Sequence, residues 1–187
     1  DKPSELGTDR IVNAIAAVDE YKAPLIVIDF GTALTFTVLS NSNQILGVNI
    51  VPGLQTAINS LYKNTAKLPS IDIILPDKVI GKNTVHSIQS GIMFGYVGLI
   101  REMIDKIKTE LSGKTKVVAT GGLSKFAKPL KGFFHDIIPT LTLPCAIFSA
   151  SATGLSITNG RSMFPLKIAV HSEKTNRINR TWMIAIH

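Results

Sequence analysis

The fold is decided by the stretch from Leu25 to Leu39, LIVIDFGTALTFTVL. Its first four residues are apolar and mostly branched, which predicts a short strand buried on both faces. Asp29 follows them, so we expect a carboxylate at the carboxyl end of a central strand, where open α/β sheets bind their ligands. Gly31 would let the backbone approach such a ligand closely. Thr32, Thr35 and Thr37 favour a second strand, paired with the first as a hairpin.

A simpler interpretation of Asp29 to Thr32 stays open. These residues could form only a tight hairpin turn, in which the aspartate side chain accepts a local hydrogen bond. The sequence around them does not decide between a turn and a ligand site.

The composition is that of a folded domain of the α/β class. The 187 residues are 45% hydrophobic and 18% charged, and no run reaches the roughly 18 apolar residues of a membrane span. The single cysteine, Cys145, excludes a disulfide within the chain. We therefore expect a cytoplasmic protein without a membrane partner. Because the chain begins with Asp1 and the deciding stretch comes early, we also expect that its natural beginning is missing.

The chain carries a formal charge of +7. Such an excess favours an anionic partner, which could be nucleic acid or a phosphate-bearing small molecule, or no specific partner at all. The four histidines show no metal-ligand spacing with one another or with Cys145, so no zinc site is predicted.

Periodicity predicts further helices and strands along the chain. They are a helix opened by Gly7 to Arg10, a strand over Gln44–Val51, a helix over Leu54–Tyr62, an irregular segment over Lys63–Asp77, a long helix that follows Gly81-Lys82-Asn83-Thr84 and runs to Leu111, a strand over Lys116–Ala119 and a helix over Ser124–Leu130. Gly91 and Gly95 lie inside the long helix, where each costs about 1 kcal/mol relative to alanine. They indicate a close helix approach, either within the fold or across a dimer. Two strands lead into a turn that contains glycine: the first is followed by Gly31, and the strand over Lys116–Ala119 by Thr120-Gly121-Gly122.

Asp9 and Arg10 are adjacent at the start of the first predicted helix. In the simpler interpretation Thr8 or Asp9 only caps this helix, since acidic residues are common in first turns. In the alternative, Arg10 binds a substrate carboxylate while Asp9 takes a hydroxyl proton.

Six short motifs stand in a fixed order and together resemble the type III pantothenate kinases over about Glu5 to Leu143. The motifs are Gly7-Thr8-Asp9-Arg10, Asp29-Phe30-Gly31-Thr32, Val51-Pro52-Gly53-Leu54, Thr65-Ala66-Lys67-Leu68-Pro69, Gly81-Lys82-Asn83-Thr84 and Thr120-Gly121-Gly122. The resemblance implies an actin-like fold of two ribonuclease-H-like lobes with a nucleotide cleft. Residues 1–24 would be the remnant of an N-terminal lobe, 25–143 the C-terminal lobe and 144–187 a divergent, disordered tail.

The resemblance also implies an activity, the ATP-dependent phosphorylation of pantothenate to 4′-phosphopantothenate in coenzyme A biosynthesis. It places the general base at Asp9, and pantothenate contacts at Gly7, Thr8 and Arg10 beside it. Thr84 would be a further pantothenate contact, contributed by the partner subunit of a homodimer. In the simpler interpretation, Asn83 or Thr84 only caps the long helix.

Two more positions take their roles from the same resemblance. Asp29 matches the ligand of a monovalent cation, potassium or ammonium, and Thr32 matches an ATP contact; magnesium would accompany the ATP. Nucleic acid is not expected as a partner.

The chain departs from the family in three places. The family's first phosphate loop, with an Asp-x-Gly-Asn-Thr motif, and an aromatic substrate contact are absent, so this chain alone is expected to bind ATP poorly and to be inactive. Val48-Asn49 replaces a glycine and an apolar residue, and the segment past Leu143 is longer. A non-catalytic or transcription-affecting relative of the same fold is the alternative.

Overall fold

The computed structural model describes residues 7–22, 24–64, 69, 71–141, 165–168 and 180–183. Residues 65–68, which belong to one of the six motifs, lie outside the described residues. The same holds for Cys145 and for most of the predicted tail.

The chain folds as a mixed α/β structure, which confirms the predicted class. The elements are α1 (Thr8–Tyr21), β1 (Leu25–Phe30), β2 (Ala33–Leu39), β3 (Ile45–Pro52), α2 (Leu54–Lys63), α3 (Thr84–Glu110), β4 (Lys116–Thr120), a 3₁₀ helix (Ser124–Phe133), β5 (Asp136–Ile138), β6 (Pro165–Ile168) and β7 (Arg180–Met183). Five strands form one sheet in the order β3-β2-β1-β4-β5, and β6 pairs with β7 separately. Among the described helices, none has the length and apolar character needed to cross a membrane.

The β1 strand lies at the centre of the five-stranded sheet, as predicted. It pairs antiparallel with β2 in a hairpin and parallel with β4. Ile26 and Ile28 pack into the cluster on the α3 side of the sheet, whereas Leu25 and Val27 pack into the cluster on the α1 side. Burial of both faces explains why the strand is an unbroken apolar run instead of an alternating one.

The start of α1 differs from the prediction that Thr8 or Asp9 caps the helix. The N-cap is Gly7, and no side chain caps the helix there. The Gly7 carbonyl instead accepts from the backbone N–H of Arg10 at 3.1 Å. Because Asp9 is not used as a cap, its carboxylate is left for other contacts.

The long predicted helix is confirmed as α3. The Asn83 side chain caps it by accepting from the His86 backbone N–H at 2.9 Å. A Cβ atom added at Gly91 or Gly95 would meet nothing within 4 Å. The prediction that these glycines allow another helix to approach closely within the fold is therefore wrong for the described residues. The alternative, a close approach of helices across a dimer, stays a prediction.

The helix predicted over Ser124–Leu130 is a 3₁₀ helix that continues to Phe133. A 3₁₀ helix has three residues per turn, so every third side chain shares a face. Ser124, Ala127 and Leu130 form the buried row, whereas lysines 125, 128 and 131 form an exposed row. This period of three keeps the three buried side chains in one row, of which Ala127 and Leu130 belong to the cluster on the α3 side of the sheet.

Candidate active site

The first part of the site is the N-terminal turn of α1. The Nη1 atom of Arg10 lies 3.9 Å from Oδ1 of Asp9, and the two side chains are 20% and 63% exposed, respectively. A Cβ atom at Gly7 would come within 2.5 Å of the Asp9 carboxylate and 2.6 Å of the Arg10 guanidinium. Glycine at position 7 therefore leaves room for the charged pair. The Nε atom of Arg10 is buried without a hydrogen-bond partner in the described part of the chain.

The second part is Asp29, the next-to-last residue of β1. Its Oδ2 atom accepts a hydrogen bond of 2.9 Å from Nδ2 of Asn13 on α1. Burial raises the pKa of the Asp29 carboxyl; the bond from Asn13 lowers the pKa, the Asp9 charge raises it and the Arg10 charge lowers it. The structure thus brings Asp9, Arg10 and Asp29 near enough to act on one another electrostatically, although α1 and β1 are separate elements.

The third part is Gly121, directly after β4. Because β1 and β4 are parallel, their carboxyl ends meet at one edge of the sheet. Gly121 has a φ of 95°, and a Cβ atom there would overlap Oδ1 of Asp29 and lie 2.8 Å from the Phe30 backbone nitrogen. Only glycine tolerates both this backbone conformation and this close approach.

Thr32 lies in the turn between β1 and β2 and is exposed. Its carbonyl oxygen accepts from the Gly53 backbone N–H at 2.9 Å and from the Thr56 hydroxyl at 2.7 Å. The start of α2 therefore holds the Thr32 backbone in place while its side chain faces solvent.

Thr84 is the first residue of α3 and lines a groove between α2 and α3. The groove measures about 460 Å³, and its other lining residues are Leu61, Ser87, Ile88, Gly91 and Ile92. Among the described contacts, none joins Thr84 to Asp9 or Asp29.

Sequence reasoning did not assign Asn13 or Gly121 to the site. A signal existed for each. Asn13 follows Asp9 by one helical turn, so both share a face of α1, and Gly121 belongs to the second strand that leads into a glycine turn. The described residues contain no group of three or more His, Cys, Asp or Glu side chains that could hold a metal ion together.

The comparison with known proteins decides the family. The family model described as type III pantothenate kinase matches residues 1–106. The chain belongs to this family. A type III pantothenate kinase from Dehalococcoides mccartyi is 48% identical to it over 143 residues, which cover 76% of this chain and 55% of that relative. One from Koribacter versatilis is 46% identical, with 76% and 52% covered.

The chain therefore spans about half the length of the pantothenate kinases that it matches. Among solved structures, it is similar to the crystal structure of a conserved putative Baf family transcriptional activator from Campylobacter jejuni. The TM-score is 0.52 and the identity 23%, over 80% of this chain and 65% of that one. This likeness concerns the fold alone.

Proposed function

We propose that this type III pantothenate kinase family member takes part in transferring the γ-phosphoryl group of ATP to the primary hydroxyl of pantothenate. The observation that carries the proposal is the convergence of Asp9, Arg10 and Asp29 at the sheet edge next to Gly121. The relatives' names support the reaction, and the alternative of a non-catalytic or transcription-affecting relative is not favoured by them. A cytoplasmic location fits this biosynthetic role.

Asp9 is the proposed general base. Its carboxylate is 63% exposed and can be reached by a substrate hydroxyl. Asp9 accepts the hydroxyl proton as the oxygen forms its bond to the γ-phosphorus and ADP leaves. In this reaction positioning and charge stabilisation matter more than base strength, because the bond to ADP is largely broken in the transition state.

Arg10 is the proposed anchor for the pantothenate carboxylate, with Gly7 and Thr8 as neighbouring contacts. Its side chain is mostly buried, and its Nε atom is buried and lacks a hydrogen-bond partner among the described residues. A carboxylate ligand would satisfy this donor and pair with the positive charge.

Asp29 is the proposed ligand of a monovalent cation, potassium or ammonium, and Thr32 a contact for ATP, which magnesium accompanies. The Asp29 environment fits a cation because the carboxylate is partly buried and its Oδ1 atom faces the glycine turn at Gly121. Burial alone disfavours the charged carboxylate, and a nearby positive charge would offset that cost. A bound cation would also supply positive charge near the ATP phosphates.

The five-stranded sheet, with the site at the carboxyl ends of β1 and β4, fits one ribonuclease-H-like lobe of an actin-like fold. We assign residues 25–143 to that C-terminal lobe and residues 1–24 to the remnant of the N-terminal lobe. Residues 144–187 would be the segment that diverges from the family, and its described residues pair as β6 and β7.

A homodimer is proposed, in which Thr84 reaches the partner's site. Large apolar side chains are exposed beside Thr84: Val79 is 64% exposed, Ile80 81% and Val85 38%. The open space over Gly91 and Gly95 lies on the same helix. Exposed apolar side chains of this kind are typical of a surface that another protein covers.

Replacing Ile80 by aspartate should therefore weaken the dimer, because it places a charge in an apolar interface. We expect the dissociation constant to rise at least about tenfold, as measured by sedimentation equilibrium. Ile50→Asp is the matched control, since Ile50 is 59% exposed but belongs to the edge strand β3, where it pairs with Thr35. An unchanged dissociation constant in Ile80→Asp would contradict this interface.

Thr84→Ala should raise the KM for pantothenate by about tenfold with a smaller change in kcat, because it removes a substrate contact that exists before the transition state. Initial-rate measurements at varied pantothenate check this. Thr109→Ala is a control, since Thr109 is exposed near the other end of α3. A wild-type KM in Thr84→Ala would remove Thr84 from the site.

The proposed reaction is tested by measuring ADP release and phosphopantothenate formation with ATP, magnesium, potassium and pantothenate. The assay is run on this chain and on a form extended to the length of its relatives. Turnover that requires pantothenate supports the proposal. If neither form phosphorylates pantothenate, the proposed function is wrong.

A further inference from the structure

The hydroxyl of Thr120 is buried at the end of β4 without a partner among the described residues. The residue is 0% exposed, and its Oγ1 atom makes no hydrogen bond to any described residue. Buried hydroxyl groups in folded proteins nearly always have a hydrogen-bond partner. A group that the described chain leaves unsatisfied at this position therefore points to a ligand.

The sheet register places this hydroxyl beside Asp29. In the parallel pairing of β1 with β4, Asp29 is opposite Thr120 and Val27 is opposite Val118. Side chains at paired positions lie on the same face of a sheet, and alternate residues of one strand share that face. Val27 and Val118 both pack in the cluster on the α1 side. The Thr120 hydroxyl and the Asp29 carboxylate therefore share the α1 face at the carboxyl edge of the sheet.

The two oxygens of Asp29 have different surroundings. Oδ2 accepts the hydrogen bond from Asn13, which fixes the orientation of the carboxylate. Oδ1 faces the glycine turn, where an added Cβ at Gly121 would overlap it and one at Gly31 would lie 3.8 Å away. The lack of side chains at both glycines leaves Oδ1 accessible to a small ligand.

We propose that the Thr120 hydroxyl and Oδ1 of Asp29 are two ligands of one bound monovalent cation. Hard cations take oxygen ligands, and a carboxylate with a neutral hydroxyl supplies two without a second negative charge. This inference rests on the proposed function in one respect, the assignment of a cation to Asp29. It adds a ligand on a different strand, so that the cation joins β1 to β4.

The test measures cation binding through thermal stability, which does not require kinase activity. The melting temperature of the chain is followed as potassium chloride replaces choline chloride at constant ionic strength, and the half-saturating potassium concentration is read from the rise. Thr120→Val removes the hydroxyl and keeps the shape of the side chain, whereas Thr120→Ser keeps the hydroxyl. Thr120→Ala serves in the same titration if the valine variant does not fold.

We expect the half-saturating potassium concentration to rise at least about tenfold in Thr120→Val, in line with the cost of losing a contact at a metal site. Thr120→Ser should keep a value close to that of the wild type. The matched control is Thr35→Val. Thr35 is buried, as Thr120 is, and it lies opposite Asp29 on β2. Unlike Thr120, it is not among the described residues whose buried hydroxyl lacks a hydrogen-bond partner. Asp29→Asn should abolish the potassium response.

Three results would overturn the inference. If Thr120→Val keeps the wild-type potassium dependence while Asp29→Asn loses it, the cation assignment at Asp29 stands and Thr120 is not a ligand. If Thr120→Val and Thr35→Val raise the half-saturating concentration equally, the effect comes from packing around Asp29. If the wild type shows no response to potassium, the cation assignment fails along with this inference, while the phosphorylation assay still decides the kinase activity.

Discussion

Replacing Asp9 by asparagine is expected to lower kcat for pantothenate phosphorylation by at least about tenfold, the low end of what removal of a general base costs. Asparagine has the same shape but cannot accept the hydroxyl proton. The side chain is 63% exposed and caps no helix, so the fold should tolerate the change. The effect should fall on kcat more than on KM, because the proton is transferred only in the chemical step. Steady-state kinetics of the form that phosphorylates pantothenate would measure it.

The control for this prediction is Asp105→Asn. Asp105 is an exposed aspartate on α3, so the substitution removes the same charge from the protein without touching the site. It should leave kcat unchanged, which separates the role of Asp9 from a general effect of net charge. Wild-type turnover in Asp9→Asn would exclude Asp9 as the base.

Replacing Gly121 by alanine is expected to lower the free energy of unfolding by about 2–4 kcal/mol. Two costs add together. A residue with a side chain is strained at a φ of 95°, and the new Cβ would lie 2.8 Å from the Phe30 backbone and would overlap the Asp29 carboxylate. The backbone of a central strand cannot move aside as a flexible side chain can. Urea unfolding of the variant and the wild type gives the difference.

Gly122→Ala is the matched control for this prediction. Gly122 is the next residue, it is exposed, and a Cβ atom there would meet nothing within 4 Å. Its substitution should change the free energy of unfolding by less than about 0.5 kcal/mol, as is usual for surface positions. Equal losses in the two variants would mean that the turn itself, and not the contact with Asp29 and Phe30, sets the stability.

Much of the secondary structure could be predicted because it depends on local pattern. The apolar run at Leu25 to Ile28 predicted a central strand, and the spacing of apolar residues after Thr84 predicted α3. The buried and exposed rows of the 3₁₀ helix also repeat every three residues in the sequence, but the sequence predicts only a helix there and not its type. Local patterns at 3.0 and 3.6 residues per turn differ too little over ten residues to be separated without the packing partner.

The sequence by itself determined the class of the fold, the central strand, the carboxylate near its carboxyl end and the family to which the chain belongs. Only the tertiary structure decided that Asp29 is held by Asn13, faces Gly121 and lies opposite Thr120. Those contacts join residues 16, 92 and 91 positions apart. These contacts depend on which strands pair, on the register of the pairing and on which helix packs over the strands. The spacing of apolar side chains within one segment does not show which other segments lie next to it in space.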